Sequence, residues 1–391
     1  MFKVEEHKKL PKNFFIESDS EWLINPEIGD YIQGDIIKVS QAEVDAYYNA
    51  ANELYDMFVN AGQYIIDNNL FEELGIDERL IPIIKHTWEN DNHWHLYGRF
   101  DIAGGIDGNP IKLIEFNADT ATSIPECSII QWAHLIYNDL NEDQQFNNMF
   151  QCLISQFEML KENNPDKEPA ILFTYMDSKE DQKNVEFIAE AAKEAGFDVE
   201  FRTLPEIVFS DDENDGGVWV DYGDNRYTRF DFWFKLLPWE YIVEDEPQLL
   251  DVLTKIVTNE QVVILNPAYT MLFQSKAILK ILWDLYPNHP YLLETSYDKL
   301  QDKPYVEKVI LGREGANVKI VDLSGDVVEE KDGDYGNYKK VYQEYVQLSV
   351  DDKNQSYQAG LFFAGEGAGL CFRRGSKIIN DTAQFVSHYI E

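Results

Sequence analysis

The chain has 391 residues and sets 71 acidic against 33 basic side chains, a formal charge of -38 that repels phosphodiester backbones and anionic membrane surfaces. A hydrophobic share of 44% with 14% aromatic residues is enough for real cores and excludes a disordered chain; no apolar run reaches the length of a membrane span. Cys127, Cys152 and Cys371 form no CxxC pair and the first ten residues lack a secretory apolar core, so free thiols in a reducing cytoplasm are expected.

Residues 1–35, with Pro11, Pro26 and scattered aromatics, read as an irregular arm packed on a body. Gln41 to Asn69 carries Val44, Tyr47, Tyr48, Leu54, Phe58, Ala61 and Ile65 at helical spacing with Ser40 as N-cap, and Phe71 to Glu89 reads as a shorter helix broken at Pro82. Two extended runs, Arg99 to Ala103 and Ile111 to Asn117, flank the turn Gly104-Gly105-Ile106-Asp107-Gly108-Asn109-Pro110 and predict a hairpin. Helices are expected over 125–138 and 141–163. Ala170 to Thr174, Lys183 to Ala195 and Phe197 to Phe201 then form a βαβ unit without a GxGxxG turn, which argues against a dinucleotide. Residues 208–229 read as a polar loop or hairpin, 230–237 and 262–265 as strands, and 248–258 and 276–286 as helices. Strands follow over 306–310, 317–321, 338–346, 357–364 and 369–373, and the tail from Thr382 reads as helical or irregular.

In the hairpin, alternation puts Glu115 and Asn117 on one face and Ile114 and Phe116 on the other, with Arg99 and Asp101 sharing a face by the same rule. Two carboxylates and an amide oxygen suit Mg²⁺, which completes its shell with water and phosphate oxygens; an ordinary solvated charged face is the other reading. The loop Gly312 to Gly315 lies between strands instead of before a helix, which excludes a P-loop and suggests a flap whose N–H groups approach phosphates, beneath Lys308 and Lys276. Gln343, Glu344, Tyr345 and Val346 end a strand able to face an adenine base. Arg99, Arg313 and Arg373 suit phosphoryl transfer to a carboxylate, where a protein mainly positions reactants and neutralises charge, although each alone fits a salt bridge. His93 and His95 alternate on one face, yet no zinc-type third ligand lies nearby in sequence.

Arg99-x-Asp101, Glu115-Phe116-Asn117-Ala118-Asp119-Thr120, Lys276, Tyr305-Val306-Glu307-Lys308 running into Gly312-Arg313-Glu314-Gly315-Ala316-Asn317-Val318, Gln343-Glu344-Tyr345 and Arg373 follow in that order. From about Trp94 onward this pattern resembles the synthetase domain of the glutathionylspermidine synthase family, in its amidase-free acid–amine ligase branch. The resemblance implies an α+β chain with an ATP-grasp fold. It is expected to be one synthetase module over 1–391, with a Rossmann-like pre-ATP-grasp lobe at 165–265 and an ATP-grasp core from 90–125 and 266–391. It implies that ATP phosphorylates an acid whose acyl phosphate an amine then attacks. Mg²⁺ would be held by Asp101, Glu115 and Asn117, and the ATP phosphates by Lys276 and Lys308 under Gly312 and Gly315. Arg99, Arg313 and Arg373 would steady the acyl phosphate, and residues 343–346 would line the adenine pocket. The expected partners are a small-molecule acid, such as a peptide, and an amine; the negative charge would favour a polyamine, drawn by Glu126, Asp177 or the 211–215 acidic run, or would serve solubility alone. No nucleic acid or membrane partner is expected, and a homodimer is allowed. Thr120, Thr122 and Ser123 stand where the family has serines and a cysteine, and Leu236 and Tyr241 where threonines would touch the peptide. A ligase joining an acid to an amino acid, and a non-catalytic ATP-binding protein, stay open as alternatives.

Overall fold

A computed structural model of the protein describes residues 2, 4–25, 30–176, 178–313, 315–380 and 382–391; Asp177 and Glu314 lie outside them. The chain is mixed α/β with several sheets. The largest has the strand order Val4–Glu6, Ile32–Val39, Gln384–Ile390, Gly367–Gly375, Ser356–Phe363, Gly98–Ala103, Lys112–Asn117. A parallel four-stranded sheet runs Val263–Leu265, Phe232–Leu236, Ala170–Tyr175, Asp198–Phe201, with helix Lys179–Glu194 crossing between the last two. An antiparallel five-stranded sheet follows the order Thr295–Ser296, Lys340–Glu344, Tyr305–Val309, Val318–Val321, Val327–Lys331. No helix among the described residues is long and apolar enough to cross a membrane.

Helix Gln41–Asn68 positions the largest sheet. Ser40 and Glu43 close a reciprocal capping box at its start, and Asn69 ends it in the left-handed region at φ 54°. Its apolar stripe presents Phe58 to Phe100 and Phe116 at ring separations of 5.8 and 5.1 Å, and those two rings stack at 3.9 Å. One face of the hairpin Gly98–Ala103 and Lys112–Asn117 is therefore core. The opposite face, bearing its charged residues, is left to a cavity. Gly104 holds the turn at φ 77°, where a Cβ would come within 2.0 Å of the Pro110 carbonyl oxygen.

Four expectations need correction. The arm of residues 1–35 contributes Val4–Glu6 and the first half of the strand Ile32–Val39, which pairs in parallel with the tail. That tail is the strand Gln384–Ile390 and not a helix; its buried His388 and Ser387 are tolerated because the Phe146 N–H donates to His388 Nε2 at 2.9 Å and Ser387 meets His134 at 2.9 Å. Pro82 starts helix Ile81–Glu89 instead of breaking one, as its missing N–H costs nothing in the first turn. The helix expected from Asn141 begins only at Met149, the preceding Gln144 and Gln145 side chains being spent on the tail's carbonyls.

Candidate active site

Arg99, Asp101, Glu115, Asn117, Lys276, Lys308, Gly312, Arg313, Gly315, Gln343, Glu344, Tyr345, Val346 and Arg373 all line one cavity of about 650 Å³. Its floor is the polar face of the hairpin and its cover is the five-stranded sheet. In the hairpin Asp101 lies opposite Glu115 and Arg99 opposite Asn117. A bulge between Asp101 and Ile102 shifts the ladder beyond that point. Ile114 consequently lines the cavity beside Glu115 instead of joining the core, a departure from simple alternation.

The floor is electrostatically knit. Arg99 donates to both Asp101 oxygens at 2.8 and 3.3 Å and to the Thr122 carbonyl at 2.9 Å. Asn117 turns its amide nitrogen to Asp101 at 3.3 Å, which leaves its amide oxygen for the cavity. Glu115 pairs with Lys276 at 3.3 Å; burial raises its carboxyl, but Lys276, Lys308 and Arg99 outweigh that and hold it below the ordinary range.

From the cover, Lys308 reaches down to the Ile114 carbonyl at 3.1 Å and to Gln343 Oε1 at 2.7 Å. Burial lowers its ammonium to about 8, with Lys276 adding to the effect and Glu115 opposing it. Lys276 donates to the Gly312 carbonyl at 2.6 Å, tying the glycine loop to the floor. Gly315 sits at φ 70°, where a Cβ would meet the Ile379 carbonyl oxygen at 2.8 Å. The strand that Gln343 and Glu344 close ends at Glu344, and the Glu344 and Tyr345 N–H groups already donate to Glu294 and Pro304 carbonyls at 2.7 and 2.9 Å. Val306, Val318, Ile320, Leu293 and Leu348 make the walls there apolar.

The three arginines sit in different surroundings. Arg313 is engaged, donating from Nε and Nη2 to Glu240 at 3.2 and 2.5 Å and from Nη1 to Thr120 at 2.9 Å, with its guanidinium 5.7 Å from the Tyr241 ring centre. Arg373 donates to the Asn380 and Ala383 carbonyls at 2.7 and 3.3 Å, and its buried Nε has no partner among the described residues. Thr122, Ser123, Leu236 and Tyr241 line the same cavity. Of the suggested amine attractors, Glu126 is buried, bonded by the Tyr31 hydroxyl at 2.9 Å; in the acidic run Asp211 pairs with Lys255 and Asp212 holds its own turn, and residues 211–215 are not among those lining the cavity.

Asp119 belongs to the sequence pattern only as a member of the run Glu115 to Thr120, and Lys235 lies outside that pattern. Both are fully buried and paired at 3.1 Å. Asp119 also accepts from the Trp239 N–H at 3.1 Å, and Lys235 donates to the Leu237 carbonyl at 2.8 Å. Burial pushes the Lys235 ammonium down and the Asp119 carboxyl up, each opposed by the partner's charge. Beside them Asn266 accepts from the Leu96 N–H at 2.8 Å and donates to the carbonyls of Tyr97, Ala118 and Asp119. These bonds lock the hairpin's exit to the parallel sheet. A lysine inside the otherwise apolar Phe232–Leu236 was the available signal.

A family described as glutathionylspermidine synthase preATP-grasp matches residues 6–391. A Haemophilus influenzae protein named provisionally as an acid–amine ligase is 30% identical over 359 residues, covering 89% of this chain and 88% of that one. The bifunctional glutathionylspermidine synthetase/amidase of Escherichia coli is 26% identical over 92% of this chain and 62% of its own length. Trypanothione synthetase of Crithidia fasciculata is 26% identical over 84% of this chain and 52% of its own. The chain thus spans less than two thirds of these two longer relatives. Among solved structures, a glutathione synthetase-like effector from Globodera pallida superposes with a TM-score of 0.57 over 98% of both chains at 10% identity, a likeness of fold. The chain belongs to the glutathionylspermidine synthase preATP-grasp family.

Proposed function

We propose that the chain is an ATP-dependent acid–amine ligase of ATP-grasp fold, joining a carboxylic acid, such as a peptide, to an amine, such as a polyamine. In this reading residues 165–265 are the pre-ATP-grasp lobe, and 90–125 with 266–391 form the core that closes over the nucleotide. One observation carries it. Two carboxylates, two buried lysines, a glycine loop and three arginines from distant stretches of sequence line a single cavity.

The donor set fits Mg²⁺: Asp101, Glu115 and the free amide oxygen of Asn117 are hard oxygens on one sheet face. When bound, the ion would neutralise charge on the ATP phosphates. Lys276 and Lys308 would hold those phosphates, with the loop at Gly312 and Gly315 over them. The apolar walls near residues 343–346 suit an adenine ring, whose edge would be met by carbonyls and by Val346, since the Glu344 and Tyr345 N–H groups are taken. A carboxylate oxygen of the acid attacks the γ-phosphorus and ADP leaves. The amine nitrogen then attacks the acyl carbon, and phosphate and a proton depart. Arg99, Arg373 and Arg313 would face the charge that moves through these steps. Leu236 and Tyr241 would make the acid's side of the cavity more apolar than a threonine wall.

The reading is tested by supplying acids and amines in pairs with ATP and Mg²⁺, following ADP and the mass of the amide. ADP release is expected to rise at least ~10-fold when both substrates are present. Slow release indifferent to both would leave a non-catalytic ATP-binding protein instead.

Lys308 gives a pH signature. Its ammonium is lost as pH rises through about 8 in the free protein, while bound phosphate would keep it charged to higher pH. ATP affinity is therefore expected to be flat below pH 8 and to weaken above it, by up to ~10-fold per pH unit. Lys308→Arg should remove this limb, because a guanidinium stays protonated there. A wild-type KM for ATP unchanged to pH 9.5 would show that Lys308 does not meet the phosphates.

A further inference from the structure

Away from the cavity, three segments meet: the end of helix Ile81–Glu89, the segment leading into the hairpin, and the turn after helix Pro247–Thr258. They bring together His86, His93 and Glu260, whose ligating atoms all lie within 4.8 Å of one another. His93 is 4% exposed, and neither of its ring nitrogens has a partner among the described residues. A buried imidazole with both nitrogens unpaired is costly unless something absent from the contacts satisfies it. The His86 ring faces it at 5.5 Å and reaches Glu260 Oε1 at 2.6 Å. Asn90 and Asn92 donate to the two Glu260 oxygens at 2.5 and 3.5 Å, orienting the carboxylate as an outer shell would. Lys167 is spent on the Glu260 carbonyl at 2.8 Å.

We propose that His86, His93 and Glu260 bind a divalent transition metal of the zinc class, in a site separate from the ligase cavity. Two imidazoles and one carboxylate suit Zn²⁺, with a water in the fourth position. The ion replaces the His86–Glu260 hydrogen bond with one coordination bond to each residue and takes a third from His93. His86 and Glu260 keep side-chain exposures of 25% and 36%, so the fourth position opens to solvent. The reading that no zinc-type ligand lies near His93 in sequence is corrected here: His86 stands shortly before it on the preceding helix, and Glu260 comes from far along the chain. His95 itself plays no part, being held between the Tyr55 hydroxyl and the Ala118 carbonyl, each at 3.0 Å. The bound ion ties the segment entering the hairpin to helix Ile81–Glu89 and to the turn between helix Pro247–Thr258 and the strand Val263–Leu265.

The test uses the full chain, free of any affinity tag and stripped with chelator, titrated with Zn²⁺ against a competing chromophoric chelator and with Co²⁺ by visible absorption. About one equivalent per chain is expected, with the intense d–d bands of a four-coordinate site and a raised melting temperature. His93→Ala and Glu260→Gln are each expected to weaken binding at least ~10-fold and to abolish the bands, while Glu115→Ala in the cavity keeps both. Where His93→Ala does not fold, the half-buried His86→Ala supplies the same readout. Absence of binding in the wild type, or Zn²⁺ binding and Co²⁺ bands that survive both ligand variants, would overturn the site.

Discussion

Glu115→Ala is expected to lower Mg²⁺-dependent ATP turnover by roughly 1000-fold or more while the fold survives. In the proposed site this carboxylate does two things. It supplies one of two anionic metal ligands, and its charge sustains the ammonium of Lys308, which burial already lowers to about 8. Removing it pulls Lys308 further toward the neutral amine, so a phosphate-binding cation weakens together with the metal. The fold has little at stake. Glu115 lies on the cavity face, Lys276 keeps the Gly312 carbonyl, and Lys308 keeps Ile114 and Gln343. The stability cost should stay within about 2 kcal/mol. Steady-state ADP release beside circular dichroism and a urea titration checks both halves, and full turnover in this variant would remove Glu115 from the mechanism.

Lys235→Met carries the largest expected effect on stability, a loss of about 3–5 kcal/mol. The methionine fills the ammonium's space but leaves Asp119 fully buried with its charge uncompensated. Its remaining donors are the Trp239 N–H at 3.1 Å and the Thr270 hydroxyl at 3.4 Å. Adding Asp119→Asn should recover much of the loss, since an amide oxygen can still accept from Trp239. Chemical denaturation of the two variants measures this. A single variant as stable as the wild type would mean that the pair does not hold the parallel sheet to the hairpin.

The sequence made some features legible because their causes are local. The hairpin follows from alternation across a glycine turn, and the long helix from its period and its capping residues, so Asp101, Glu115 and Asn117 fell together as the pattern requires. The bulge that turns Ile114 toward the cavity has no local mark. The tail Gln384–Ile390 looked irregular because Ser387 and His388 interrupt its apolar run, and only partners more than 200 residues away make a buried histidine acceptable there. The engagement of Arg313 by Glu240, the Lys235–Asp119 pair and the meeting of His86 and His93 with Glu260 are likewise long-range, and spacing along one chain carries no signal for them.

The whole mechanism turns on whether the acid's own oxygen passes to phosphorus. Supplying an acid–amine pair found to drive ADP release, with the acid labelled with ¹⁸O in its carboxylate, decides it by mass spectrometry of the products. The proposed chemistry leaves one labelled oxygen in each phosphate released and the other in the amide, because the bridging oxygen leaves with phosphorus. Phosphate carrying no label, its fourth oxygen taken from water, would contradict the account, however fast ADP appeared.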